Sequence, residues 1–152
     1  MKLLVLPALL VAGATALMVA GPAMAAIGQY TVTVDSGPHA GKYTAKAADI
    51  QCFHSKSQKF LAATFSNMDP RAGNSGVRSG IRVYDPDAPG AKTGELSADF
   101  GTFVKQNANY KVNRIPITLT VSGGGAEIAG TGKTADGVQI HIAVSCATVL
   151  QM

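Results

Sequence analysis

The chain has 152 residues, with 13 Lys and Arg against 9 Asp and Glu, a formal net charge of +4, two cysteines and no tryptophan. That length supports one hydrophobic core and excludes a large multidomain assembly. Apart from Lys2, the basic residues are scattered from Lys42 to Lys133 without a run, which excludes the clustered footprint of a nucleic-acid-binding protein and leaves the charge to solubility or to attraction for anionic surface polymers.

Residues 1–25 read as a cleaved signal peptide. Lys2 supplies the positive n-region, the stretch from Leu3 to Gly21 is apolar, and Ala23-Met24-Ala25 is a small-x-small cleavage site ahead of Ala26. The competing reading is a membrane anchor, since the apolar run approaches the ~20 residues that a spanning helix needs. The Pro22 break and the small-residue ending favour cleavage. No cysteine follows the site for lipidation, so the expectation is a single domain over residues 26–152, exported to the periplasm or the extracellular space, with no membrane span after cleavage.

Two cysteines in an exported chain most simply form one disulfide, Cys52 with Cys146. A reactive thiol or a metal pair is the alternative, but redox pairs sit two residues apart, and these are far apart. Closing so long a loop stabilises by about 4 to 5 kcal/mol in the chain-entropy account.

Past Ala26 the dominant pattern is alternation. Gln29–Val34 places Tyr30, Val32 and Val34 on one face, and Asp35-Ser36-Gly37-Pro38 breaks the strand. Strands are expected at 41–47 and at 50–53, where Cys52 shares the parity of Ile50. Phe60–Phe65 reads as a strand, with a short helix at Leu61-Ala62-Ala63 as the alternative. Residues 67–79, polar and rich in Gly and Asn, read as a long loop. Ile81–Tyr84 is a short strand, 85–90 a turn cluster, and 95–103 a strand in which Gly101 permits a bulge. Residues 105–109 read as a polar connection. Ile115, Ile117, Leu119 and Val121 then alternate in a strand, with Pro116 expected at its start or on an edge.

The last hairpin allows its register to be argued. A two-residue turn at Asp136-Gly137 would set Lys133 opposite Ile140 and bury its charge. A three-residue loop, Ala135-Asp136-Gly137 with Gly137 left-handed, pairs Thr134 with Val138 and brings Ile128 opposite Val144. Gly130 and Gly132 then fall on the core face and leave room for bulky side chains, for which Phe60, Phe65, Phe100 and Phe103 are candidates. Seven or eight short strands with polar turns predict an all-β antiparallel sandwich, or alternatively a small closed barrel.

Few motifs carry chemistry. Gly130-Thr131-Gly132-Lys133-Thr134 ends like a phosphate-binding loop, but Glu127 stands where the first glycine is required and no helix follows. His39, His54 and His141 lack the close ligand spacing of a metal site and read as surface histidines; His54 and His141 are kept as weak candidates. No nucleophile elbow or assignable carboxylate pair marks an enzyme, so no catalytic residue, metal or cofactor is assigned. Arg71 and Arg78, in the long polar loop, are the candidate binding residues for a carboxylate, phosphate or sugar acid.

The order Gly41-Lys42-Tyr43, Cys52, Gly130-Thr131-Gly132-Lys133-Thr134-Ala135-Asp136-Gly137-Val138 and Val144-Ser145-Cys146 resembles small exported bacterial β-domains similar to the mycobacterial nineteen-kilodalton lipoprotein antigen family. The resemblance covers the two ends of the mature chain and implies an envelope or secreted protein with one early-to-late bridge and no assigned chemistry. The lipidated cysteine is absent here, so anchoring does not carry over. The leading expectation is a non-enzymatic binding module for an envelope protein or an anionic surface polymer, with no nucleic-acid partner. A small-ligand or lipid carrier with a barrel cavity is the alternative, and a hydrolase or hydrolase inhibitor the third.

Overall fold

The computed structural model describes residues 28–68, 75–102 and 105–152. Residues 1–25, read from the sequence as a signal peptide, and Arg71 lie outside them. Ten strands follow one another: β1 Gln29–Val34, β2 Gly41–Lys46, β3 Ile50–Ser55, β4 Phe60–Ser66, β5 Gly76–Tyr84, β6 Lys92–Gly101, β7 Gln106–Ser122, β8 Gly125–Lys133, β9 Gln139–Cys146 and β10 Leu150–Gln151. One 3-10 turn, Ala47–Asp49, joins β2 to β3. All form a single sheet in the order β10-β3-β4-β5-β6-β7-β8-β9-β1-β2, curled into a half-barrel. Every pairing is antiparallel except that of β10 with β3. Among the described residues no helix is long and apolar enough to cross a membrane.

Alternation builds the curl. Each of β1 to β9 turns one parity inward, so the two halves of the sheet meet across a common core. Tyr30 of β1 lies 5.0 Å, ring to ring, from Phe65 of β4, and Tyr43 of β2 lies 5.1 Å from Phe100 of β6. Tyr30, Ile81, Leu96, Ile128, Ile140 and Ile142 are fully buried between them. Cys52 of β3 and Cys146 of β9 form the expected disulfide, a covalent link between strands that share no ladder.

The all-β antiparallel class is as expected, with more strands than the seven or eight anticipated. Two segments taken for loops are strands. Residues 76–79 begin β5, and their alternation was obscured because the inward position Ser79 is polar; its hydroxyl donates to the Ser97 carbonyl at 2.8 Å. Residues 106–109 begin β7, in which buried Tyr110 and Val112 alternate with outward Asn and Lys. A bulge at Arg114, whose φ is +55°, resets the parity so that Ile115 and Ile117 point inward. Pro116 therefore lies inside a long strand, beside a bulge, instead of at a strand start.

The final hairpin adopts the three-residue loop. The Thr134 amide donates to the Val138 carbonyl at 2.9 Å, Gly137 has φ +87°, and Ile128 stands opposite Val144. Gly130 and Gly132 do face the core, but the side chains that fill the space come from β6 and β7. A Cβ on Gly130 would lie 2.6 Å from Ile117 Cδ1 and 3.2 Å from Leu96 Cδ2, and one on Gly132 would lie 2.6 Å from Val112 Cγ1. The phenylalanines are placed elsewhere: Phe65 and Phe100 are buried, Phe60 is half-buried on the outer parity, and Phe103 falls outside the described residues.

Candidate functional site

The candidate residues separate. Arg78 is not on a loop; it lies on the outer face of β5, where its Nε donates to Asp99 Oδ2 at 3.3 Å. His54 is not a surface histidine. It shares the inward parity of Ile50 and Cys52 and is buried, with Nε2 3.1 Å from Asp87 Oδ2 but without the alignment of a hydrogen bond. His141 is exposed as expected and meets Thr131 Oγ1 at 2.7 Å through Nδ1. His39 is half-buried and stacked on Phe100, ring centroids 4.5 Å apart. These histidines sit on different elements and do not converge. Among the described residues no group of three His, Cys, Asp or Glu is placed to hold a metal ion.

What the fold does assemble is the outer face of β3 to β7. One rung runs Leu150, Phe53, Ala62, Arg82, Glu95, Asn113 across six strands, and the next runs Gln51, Thr64, Gly80, Ser97, Lys111. Phe60 stands directly opposite Tyr84. The apolar end of this face is Leu150, Phe53 and Phe60; the phenylalanine rings pack edge to face at 5.7 Å.

Beyond the aromatic ledge the face becomes charged and ordered. The Arg82 guanidinium sits 4.8 Å from the Phe60 ring centre, a cation–π geometry, and its Nη1 lies 3.4 Å from Glu95 Oε1. Glu95 also receives the Tyr84 hydroxyl at 2.9 Å and lies 3.7 Å from Lys111 Nζ. Asp99 is held in the same way by Arg78 and by the Asn109 amide. Burial, and then the bond to Glu95, push the Tyr84 phenol above its ordinary range, so it stays a donor at neutral pH. Ion pairs whose cations stand this far in water add little to folding stability, even with the Glu95 and Asp99 carboxylates mostly covered. Their consequence is positional: planar polar groups are held in place while Arg82 and Lys111 keep about half their side-chain surface in water, 45% and 54%.

Between the ledge and the charges lies a depression of about 100 Å³ lined by Phe53, Thr64, Gly80, Arg82, Glu95 and Ser97. Gly80 makes it possible, since a Cβ there would sit 3.2 Å from Ser97 Oγ. A larger depression, about 290 Å³, lies on the other half of the sheet among Thr31, Thr118, Glu127, Ala129 and Ala143. It has neither an aromatic wall nor a cation.

Phe53, Arg82, Tyr84, Glu95 and Asp99 take the outward parities of their strands, because Cys52, Ile81, Val83, Leu96 and Ala98 take the inward ones. Their convergence depends on which strands pair and in what register, and no local pattern carries that. Comparison with protein-family models, with curated proteins and with solved structures finds no match for this chain.

Proposed function

We propose that this chain is an exported, non-enzymatic binding module that recognises an envelope component, an anionic surface polymer or an envelope protein, with the outer face of β3 to β7. The observation that carries the reading is the Arg82–Glu95–Lys111–Tyr84 network beside the Phe53 and Phe60 ledge: charges fixed in place, partly solvated, and contributing little to folding. Binding residues on a rigid sheet suffer little loss of freedom when a partner arrives. The interior supports the carrier alternative less well, because buried side chains from both halves of the sheet occupy it. The Cys52–Cys146 bond fits an oxidising compartment, in line with the signal-peptide reading of residues 1–25.

Cosedimentation with purified envelopes of the source organism tests the module. The oxidised wild-type protein should pellet with envelopes at low salt and be released as salt rises, and an Arg82→Glu, Lys111→Glu variant should remain in solution. A folded wild type that never pellets would contradict the reading. A small molecule retained by the native protein in mass spectrometry would favour the carrier.

A further inference from the structure

Resting on the binding-module reading, we propose that the outer face of β3 to β7 takes a carboxylate-bearing polysaccharide, with sugar rings lying on the aromatic ledge and their acid groups at Arg82 and Lys111. Three observations meet in this ligand and in few others. The first is charge. Among the described residues of this face Arg78, Arg82, Lys111 and Arg114 outnumber Glu95 and Asp99, so an anionic chain is attracted along the strands while paired groups suppress indiscriminate binding. The second is the juxtaposition of flat apolar rings with planar polar groups. A pyranose presents an apolar C–H face and a rim of hydroxyls, which match a ring such as Phe53 and the oriented oxygens and N–H groups of Glu95, Arg82 and Asn109; a guanidinium can grip a sugar carboxylate through paired hydrogen bonds.

The third is the depression at Gly80. At about 100 Å³ it is too small for a monosaccharide and suited to one substituent, with the Ser97 hydroxyl and the Thr64 methyl beside Gly80. The face is therefore an open platform with one pocketed position, the form expected for an internal stretch of a polymer and not for a free small molecule, which is usually enclosed.

Affinity electrophoresis and titration calorimetry of the oxidised protein with polygalacturonate, neutral dextran, dextran sulfate and anionic phospholipid vesicles separate the ligand classes. Polygalacturonate should retard the protein, dextran should not, and dextran sulfate should bind with a steeper salt dependence because sulfate offers charge without the matched carboxylate geometry. Lys111→Ala, on a side chain too exposed to threaten folding, should weaken polygalacturonate binding about tenfold and flatten its salt dependence. Phe53→Ala should weaken it comparably with the salt dependence unchanged, and Gly80→Val should block the pocketed position. Glu127→Ala, on the other half of the sheet, should bind as wild type does.

Equal retardation by dextran, or no response to Lys111→Ala, would overturn the acidic-glycan assignment. Vesicle binding as strong as polygalacturonate binding would move the assignment to a membrane surface. Failure on all four probes with envelope cosedimentation intact would leave the module standing and reject only its ligand class.

Discussion

The Tyr30 hydroxyl on β1 meets the Ser79 hydroxyl on β5 at 3.2 Å, across the core from one half of the sheet to the other. Both residues are buried, and the contact joins strands that share no ladder. Burial raises the Tyr30 phenol well above its ordinary range, so it is neutral and available as a donor. Because Ser79 also donates to the Ser97 carbonyl, the natural chain of donation is Tyr30 to Ser79 to Ser97. Removing the first link should cost less than removing the middle one. Tyr30→Phe should destabilise by roughly 0.5 to 1.5 kcal/mol, and Ser79→Ala, which strands a buried hydroxyl and a carbonyl, by about 1 to 3 kcal/mol. A double-mutant cycle in denaturant should return a coupling energy between them; strict additivity would remove the contact from the account.

The disulfide performs covalently what that hydrogen bond performs weakly. Five strands separate β3 from β9 in the sheet order, so nothing in the ladder holds them together. A Cys52→Ser, Cys146→Ser double variant should lose about 2 to 5 kcal/mol, and the oxidised wild type should melt well above it. Coincident melting curves would mean that the curl is held by packing alone.

Gly137 and Lys133 test the last hairpin as a pair. With φ at +87°, Gly137→Val should cost more than about 1 kcal/mol, since a branched side chain resists that conformation. Lys133 is exposed and lies opposite Gln139, so Lys133→Ala should be nearly neutral. A large effect at Lys133 would point to a different turn in solution.

Gly130 probes the packing between β8 and its neighbours. A side chain there would collide with Ile117 and crowd Ile115 and Leu96. Gly130→Val should therefore destabilise by about 1 to 3 kcal/mol through overpacking. Pairing it with Ile117→Ala should recover part of the loss if the collision is the cause, as denaturant midpoints would report.

These positions mark how far the amino-acid sequence alone reaches. The strand parities, the bridge between Cys52 and Cys146 and the hairpin register follow from local alternation and from keeping Lys133 out of the core. The full extents of β5 and β7 do not, because Ser79 interrupts one apolar parity with a buried hydroxyl and the Arg114 bulge shifts the other by one residue. His54 reads as a surface histidine only because it lacks the spacing of a metal ligand; its parity with Cys52 points inward, and it is buried. The filling of the glycine gaps by Ile115 and Ile117 needed the β7–β8 register. The outer platform is least legible of all: Phe53, Arg82 and Glu95 come from three strands spread along the chain, and only the sheet order sets them in one rung.

The most direct test of the central claim is an amide chemical-shift map of the isotopically labelled, oxidised protein during titration with polygalacturonate fragments. Shifts should concentrate at Phe53, Gly80, Arg82, Glu95, Ser97 and Lys111, with Thr31, Ala129 and Ala143 unmoved. Perturbations centred on those last three, or on the buried residues between the sheet halves, would contradict binding on the outer face of β3 to β7.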